Sequence, residues 1–199
     1  MTAPLGVILA GGQARRMGGG DKGLLQIGDR TLLNLVIDRL SPQVEGLALN
    51  ANGAAERFKA YGLPVLPDPM AGHPGPLAGV LAGLDWAAAK GATHIVTAAA
   101  DTPFFPADLV PQLMLAAEAE GHPIALSRTM NGRHPTFGLW PTALRNDLRQ
   151  ALDDGVRKVV MWTDSHGTAS ADFPVHGFDP FFNVNTPEDL AEARRLQDV

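Results

Sequence analysis

The apolar positions of this 199-residue chain follow two rhythms. Short runs such as Leu5 to Leu9 (LGVIL) and His94 to Ala100 (HIVTAAA) show no polar alternation, the pattern of a strand buried on both faces of a parallel sheet. Elsewhere the apolar residues recur three and four apart. Leu32, Leu33, Val36, Ile37 and Leu40 predict a helix that Ser41-Pro42 ends. Leu77, Val80, Leu81 and Leu84 predict a second, in which Gly79 and Gly83 permit close approach to a sheet. Leu109, Leu113 and Ala117 predict a third. Gly46 to Asn50 and Val65-Leu66 are further strand candidates, with a short helix between them from Ala54 to Tyr61 that Gly62 stops. Pro67 to Gly79, dense in proline and glycine, reads as an ordered loop.

Strands alternating with helices predict an α/β fold in three layers: a mostly parallel central sheet with helices on both faces. After Pro123 the rhythm changes. IALSR and TFGLW flank MNGRHP, which predicts an antiparallel addition in the C-terminal half. The chain then runs through FFNVN into Thr186-Pro187-Glu188-Asp189, a helix N-cap with proline at the first helical position and an acid at the capping-box place. With no repeat or linker, residues 1–199 read as a single domain with one core.

Composition narrows the function classes. Hydrophobic residues make up 45% and charged residues 19%, which argues against disorder. A net charge of −5 gives no electrostatic case for nucleic acid or an anionic membrane surface, so any bound anion needs a local site. The chain has no cysteine, which excludes disulfides, thiolate metal sites and cysteine nucleophiles. MTAPLGVILAGG lacks the charged n-region of a signal peptide, and no apolar run approaches the ~20 residues of a membrane span. A cytoplasmic protein is expected.

The local site is sought in VILAGGQARRMGGGDKGLL, residues 7 to 25. Residues Ala10 to Lys22 leave the carboxyl end of the first strand, where ligands bind in a parallel α/β sheet. Five glycines let backbone N–H groups face an anion, and Arg15, Arg16 and Lys22 add charges suited to phosphate oxygens. The bland reading is a solvated basic connection. Neither familiar phosphate loop fits. Arg15-Arg16 interrupt a G-x-G-x-x-G pattern, and Lys22 follows Asp21 instead of standing in a G-K-(S or T) run.

LAGGQARRMGGGDKGLL resembles the signature L-A-(A or G)-G-x3-R-M-x4-K of sugar-nucleotide-type nucleotidyltransferases. Its GG-x3-RMGG-x-DKGLL form resembles the molybdenum cofactor guanylyltransferase family. The likeness continues in order through NAN (Asn50 to Asn52), PGPLAG (Pro74 to Gly79), ADTP (Ala100 to Pro103), HPT (His134 to Thr136) and NVNTPEDL (Asn183 to Leu190), so it spans nearly the whole chain. It implies a Rossmann-like nucleotidyltransferase fold and transfer of GMP from GTP to the terminal phosphate of molybdopterin, with release of pyrophosphate. About residues 1–122 would hold GTP and about 123–199 the acceptor. Molybdoenzyme-maturation proteins are the implied partners.

The remaining residues are weighed with that resemblance in view. Asp101 ends a buried strand and reads either as a turn-forming Asp before Thr-Pro or as the single hard carboxylate that holds Mg²⁺ beside a triphosphate. The resemblance favours the metal role, although the family usually has Cys where this chain has Ala100. It implies a GTP site of Leu9, Ala10, Gly11, Gly12, Lys22, Asn50, Asp68 and Asp101, with Lys22, Arg16 and Asp101 as catalytic groups. Asn50 also reads as a plain strand terminator and Asp68 as a turn residue. Asn183 and Asn185 flank Val184, so on an extended strand their amides share a face and suit a polar group near the metal, or else they only satisfy backbone at a helix start; they are assigned to the acceptor side. Arg157 matches an acceptor-binding position of the family and reads equally as a solvated surface arginine.

The histidines show no metal-ligand spacing, and Ser127 and Ser165-His166 lack a nucleophile-elbow context. Trp86, Trp140 and Trp162 are expected in the core or at its rim. With no covalent nucleophile, direct in-line attack on the α-phosphorus is the expected mechanism. A relative that uses CTP is the alternative, and such relatives tend to carry A-A-G where this chain has Ala10-Gly11-Gly12. A GTP-binding delivery protein without turnover is a third reading, from a different class.

Overall fold

A computed structural model describes residues 3–11, 20–70 and 75–197 of the chain. Gly12 and Arg16 lie outside the described residues. In chain order the strands are β1 (Leu5–Leu9), the hairpin β2 (Gln26–Ile27) and β3 (Arg30–Thr31), β4 (Leu47–Asn50), β5 (Val65–Leu66), β6 (His94–Ala99), β7 (Ile124–Thr129), β8 (Gly132–Pro141) and β9 (Thr168–Asp172). Among the described residues seven of them form one sheet in the order β5-β4-β1-β6-β8-β7-β9. Only β8 runs against the rest: it is antiparallel to both β6 and β7, while β5, β4, β1 and β6 are parallel and β9 is parallel to β7. The expected mostly parallel sheet with an antiparallel addition is therefore found.

Helices α1 (Leu32–Leu40) and α3 (Leu109–Glu120) cover one face. The other face carries α2 (Pro76–Ala89), α4 (Arg145–Asp153) and α5 (Val159–His166). Ile8 packs into the first core and its neighbour Val7 into the second, which is why β1 reads as an unbroken apolar run. α2 is buried from Leu77 to Leu84 without a polar stripe. A Cβ at Gly83 would come within 2.7 Å of Val7 Cγ2 and 2.8 Å of Ile95 Cδ1, so the bare backbone sets how closely α2 lies on the sheet. Trp140 and Trp162 are in the core, with ring centroids 6.3 Å apart.

The C-terminal helix α6 (Pro187–Gln197) starts as its sequence predicts. Asp189 N–H donates to Thr186 Oγ1 at 3.1 Å, and Asp189 Oδ2 accepts from Thr186 N–H at 2.9 Å, a reciprocal capping box. A similar box, formed by Thr31 and Asn34, opens α1.

Several expected boundaries move. The helix expected over 54–61 is a 3-10 run, Ala55–Tyr61, and the loop expected to reach Gly79 gives way at Pro76, because proline is tolerated in the first turn. MNGRHP is mostly strand, since β8 already begins at Gly132. FFNVN forms no strand; Val184 N–H instead donates to Asp101 C=O at 2.9 Å, which anchors this segment beside the end of β6. Strand β9, helices α4 and α5 and the β2–β3 hairpin carry patterns too short or too polar to have stood out.

β8 breaks register. Leu126 pairs with Gly138, but Ser127 pairs with His134, so residues 135–137 of β8 have no counterpart on β7. Such bulges re-aim side chains. Thr97 Oγ1 donates to Thr136 C=O at 2.9 Å and accepts from Trp140 Nε1–H at 2.9 Å, which fixes the bulge against β6. Among the described residues no helix is long and apolar enough to cross a membrane.

Candidate active site

Strands β4, β1 and β6 end side by side, and β1 is the switch point: the chain runs outward from it through β4 to β5 on one side and then crosses back to β6 on the other. Ligands of open α/β sheets bind in the crevice that such a switch leaves. A cavity of about 490 Å³ opens there. Leu9, Ala10 and Gly11 continue β1 into it, with Asn50 from β4, Asp68 after β5, Asp101 after β6, and Lys22 and Gly23 beyond the glycine-rich segment. Thr136 comes from the bulge of β8.

One group of side chains gathers at Asp101. Lys22 Nζ lies 3.1 Å from Asp101 Oδ2 and also donates to Asn185 Oδ1. Both members of the ion pair are 19% exposed, so they are partly desolvated yet open to the cavity. Asn185 is held by the α6 cap, because its N–H donates to Asp189 Oδ2 at 2.9 Å. Asn183 Oδ1 accepts from the buried Thr102 hydroxyl. The two asparagines therefore both reach the Asp101-Thr102 turn, though from an irregular segment and with different partners.

A second group forms the opposite wall. Asn50 Nδ2 donates to Asp68 Oδ1 at 2.9 Å and to Leu66 C=O at 3.1 Å. Asn52 grips Asp68 twice: its Nδ2 donates to Asp68 Oδ2 at 2.7 Å, and its Oδ1 accepts from Asp68 N–H at 2.8 Å. Asn50 is 4% exposed and sits directly under α2. A Cβ at Gly79 would fall 2.2 Å from Asn50 Oδ1 and 2.7 Å from Leu9 Cδ2, so glycine alone leaves room for the amide.

Of the twelve residues assigned from the sequence, Leu9, Ala10, Gly11, Lys22, Asn50, Asp68 and Asp101 line the cavity. Asn185 touches it through Lys22. Arg157 is exposed, and its Nη1 donates to the carbonyls of Leu152 and Val156 at 2.7 and 2.8 Å, at the end of α4. Its backbone carbonyl lies beside Gly75, which lines the cavity. Asn52, Asp21, Arg57 and Thr136 were missed. Asn52 stands in the quoted NAN, Thr136 ends the quoted HPT and Asp21 precedes Lys22, so adjacency marked all three; Arg57 carried no signal.

Beyond β7 and β8 lies a polar cluster. Thr129 Oγ1 donates to Asp179 Oδ2 at 3.0 Å, Asn131 Nδ2 donates to the same oxygen at 2.7 Å, and His134 Nε2 is 3.0 Å from Thr129 Oγ1. The His134 ring stacks on Phe181 with centroids 4.4 Å apart. Burial pushes the imidazole below its ordinary value, against the weaker pull of Asp179. It is therefore neutral at pH 7, and its 3.9 Å contact with Asp179 is not an ion pair. Burial by itself would raise the Asp179 carboxyl, but hydrogen bonds from Asn131, Phe181 N–H and Thr129, together with His134, hold it below the usual range. Among the described residues no three His, Cys, Asp or Glu side chains converge as a metal cluster.

Comparison with known proteins agrees with this geometry. Residues 6–168 match the MobA-like NTP transferase domain family. The chain is 54% identical over 198 residues to a protein of Bradyrhizobium sp. (strain ORS 278) named molybdenum cofactor guanylyltransferase, covering 98% of this chain and 93% of that one. A Mesorhizobium japonicum protein of the same name is 52% identical over 96% of this chain and 94% of its own length. Among solved structures, molybdopterin-guanine dinucleotide biosynthesis protein A from Archaeoglobus fulgidus superposes with a TM-score of 0.74 at 23% identity, covering 98% of both chains. A Methanothermobacter nucleotidyl transferase gives a TM-score of 0.72 at 18% identity over the full length of both chains. With a nucleotidyltransferase fold, a cation and a carboxylate at its switch point and relatives that match over nearly their whole length, the chain belongs to the MobA-like NTP transferases and, within them, to the molybdenum cofactor guanylyltransferase family.

Proposed function

We propose that the protein transfers GMP from GTP to the terminal phosphate of molybdopterin. The observation that carries this reading is the Lys22–Asp101 pair in the cavity at the sheet's switch point. A phosphate oxygen of the acceptor attacks the α-phosphorus of GTP, a new P–O bond forms, the bond to the β-phosphate oxygen breaks, and pyrophosphate leaves. A phosphate monoester is anionic at neutral pH, so the protein's work is alignment and charge neutralisation.

Lys22 holds the phosphates, joined by the backbone of Gly11 and by Gly12 and Arg16. Asn50 and Asp68 contact the nucleoside. The donor set at Asp101 fits a magnesium ion, since Mg²⁺ takes one or two carboxylates and draws its other ligands from water and phosphate. When bound, the ion neutralises charge on the phosphate oxygens. Asp101 would hold it, and Lys22 would turn from Asp101 to the nucleotide. The halves before and after residue 122 serve GTP and acceptor respectively, with Asn183, Asn185 and Arg157 on the acceptor side. Molybdoenzyme-maturation proteins receive the product, and the reaction takes place in the cytoplasm.

The test supplies each of the four NTPs with Mg²⁺ and molybdopterin and follows pyrophosphate and dinucleotide. GTP should dominate, because a site that hydrogen-bonds one base edge rejects a mismatched edge strongly. Preference for CTP would move the protein to the cytidylyl reading, and tight GTP binding without pyrophosphate would make it a delivery protein.

A further inference from the structure

We infer that Arg57 is a positioning residue that clamps Asp21, and through it Lys22, at the phosphate side of the cavity. This rests on the nucleotide reading of the cavity given above. Asp21 precedes the 3-10 turn Lys22–Leu24 at its N-cap position, yet its carboxylate caps nothing there. It accepts instead from Arg57 Nε at 2.6 Å and from Nη2 at 3.2 Å, a two-pronged contact of the kind that fixes geometry as well as charge. Arg57 Nη2 also donates to Asn52 C=O at 2.6 Å, and Nη1 donates to Ala54 C=O. The guanidinium lies 4.5 Å from the ring centroid of Phe58, which is fully buried.

These contacts decide what Arg57 does. An arginine has five N–H donors, and here four hydrogen bonds already engage all three of its nitrogens. One N–H, on Nη1, is left, too few for the two-pronged grip by which arginine holds a phosphate. Arg57 ties together two segments that are distant in sequence: the limb carrying Lys22, and the turn after β4, whose Asn52 grips Asp68. It therefore fixes where Asp21, and with it Lys22, stands relative to the Asn50–Asn52–Asp68 wall. A nucleotide that bridges the two walls depends on that distance.

Asp21→Asn separates this role from plain electrostatics, because the two predict opposite signs. Removing an acid beside a phosphate site strengthens triphosphate binding if charge alone matters. If the clamp matters, binding weakens. Calorimetric titration of the full-length chain with Mg·GTP should show Asp21→Asn and Arg57→Gln each binding roughly tenfold more weakly. The double variant should be about as weak as either single one, since both remove one contact. Arg57→Lys should recover only part of the loss, because an ammonium lacks the fork. The melting temperature without ligand should move little, whereas a merely structural role would lower it and leave the affinity of the folded protein intact.

Asp21→Asn binding GTP as well as or better than the unaltered protein overturns the inference. If Arg57→Gln fails to fold, Asp21→Asn still decides the matter. No GTP binding by the unaltered protein would instead overturn the nucleotide reading, and this inference with it.

Discussion

Lys22 and Asp101 stand 79 residues apart in the chain, and their charged atoms lie 3.1 Å apart at the mouth of the cavity. Each arrives from a different strand end, Lys22 beyond β1 and Asp101 beyond β6, and β1 and β6 are hydrogen-bonded neighbours. The pair is thus a product of parallel strand order, and Asn185 closes it from the other end of the chain.

Asp101→Asn should abolish pyrophosphate release without unfolding the protein. The amide keeps the size of the side chain and leaves the Val184 N–H to Asp101 C=O hydrogen bond in place. It loses the negative charge that would hold the metal and orient Lys22. Turnover measured over a range of Mg²⁺ concentrations, beside a melting curve, checks this. Near-native activity at ordinary Mg²⁺ would remove Asp101 from the metal role.

Gly79→Ala should couple stability to nucleotide binding. The new Cβ would overlap Asn50 Oδ1, and Asn50 cannot swing away cheaply because Asp68 and Leu66 hold its amide. Overpacking of this kind costs about 1–3 kcal/mol. Denaturant unfolding should show that loss, and a GTP titration should show weaker binding, because Asn50 and Asp68 line the cavity. A variant as stable as the parent would mean that α2 shifts to make room.

His134 should make the protein less stable as the pH falls below the ordinary histidine value of about 6.5. Its folded-state value is lowered by burial, so between the two values the unfolded chain binds more protons than the folded one. Stability is then complete above that ordinary value and lost as the pH drops through the folded one. His134→Gln, which keeps a hydrogen-bonding group near Thr129 and cannot titrate, should flatten the fall in melting temperature between pH 7.5 and about 5.5. A residual slope belongs to His94, which burial also holds low. An unchanged slope would show that His134 binds protons equally in the folded and the unfolded chain, so that burial does not lower its value.

Much of the architecture is legible in the residues because burial imposes local patterns. β1 and β6 had to be apolar on both faces, α1 and α3 had to repeat every three or four residues, and Thr186-Pro187-Glu188-Asp189 carries its own capping box. Asp68, Asn50 and Asp101 were visible for a related reason: each stands where an apolar strand stops, and the strand ends of a parallel sheet share one edge.

Partnership, by contrast, belongs to the tertiary structure. No local pattern pairs Lys22 with Asp101 and Asn185, or turns Arg57 towards Asp21, because these contacts depend on strand order and on where the chain re-enters the sheet. The break in β8 that sends Thr136 into the cavity is a register event between two strands, and a single strand's sequence does not record it. Arg157 shows the same limit from the other side. The resemblance assigned it to the acceptor, whereas the carbonyls it bonds in the fold, those of Leu152 and Val156, could not be read from the residues around it. Local burial wrote the elements into the sequence; the meeting of distant polar side chains was decided by how those elements stack.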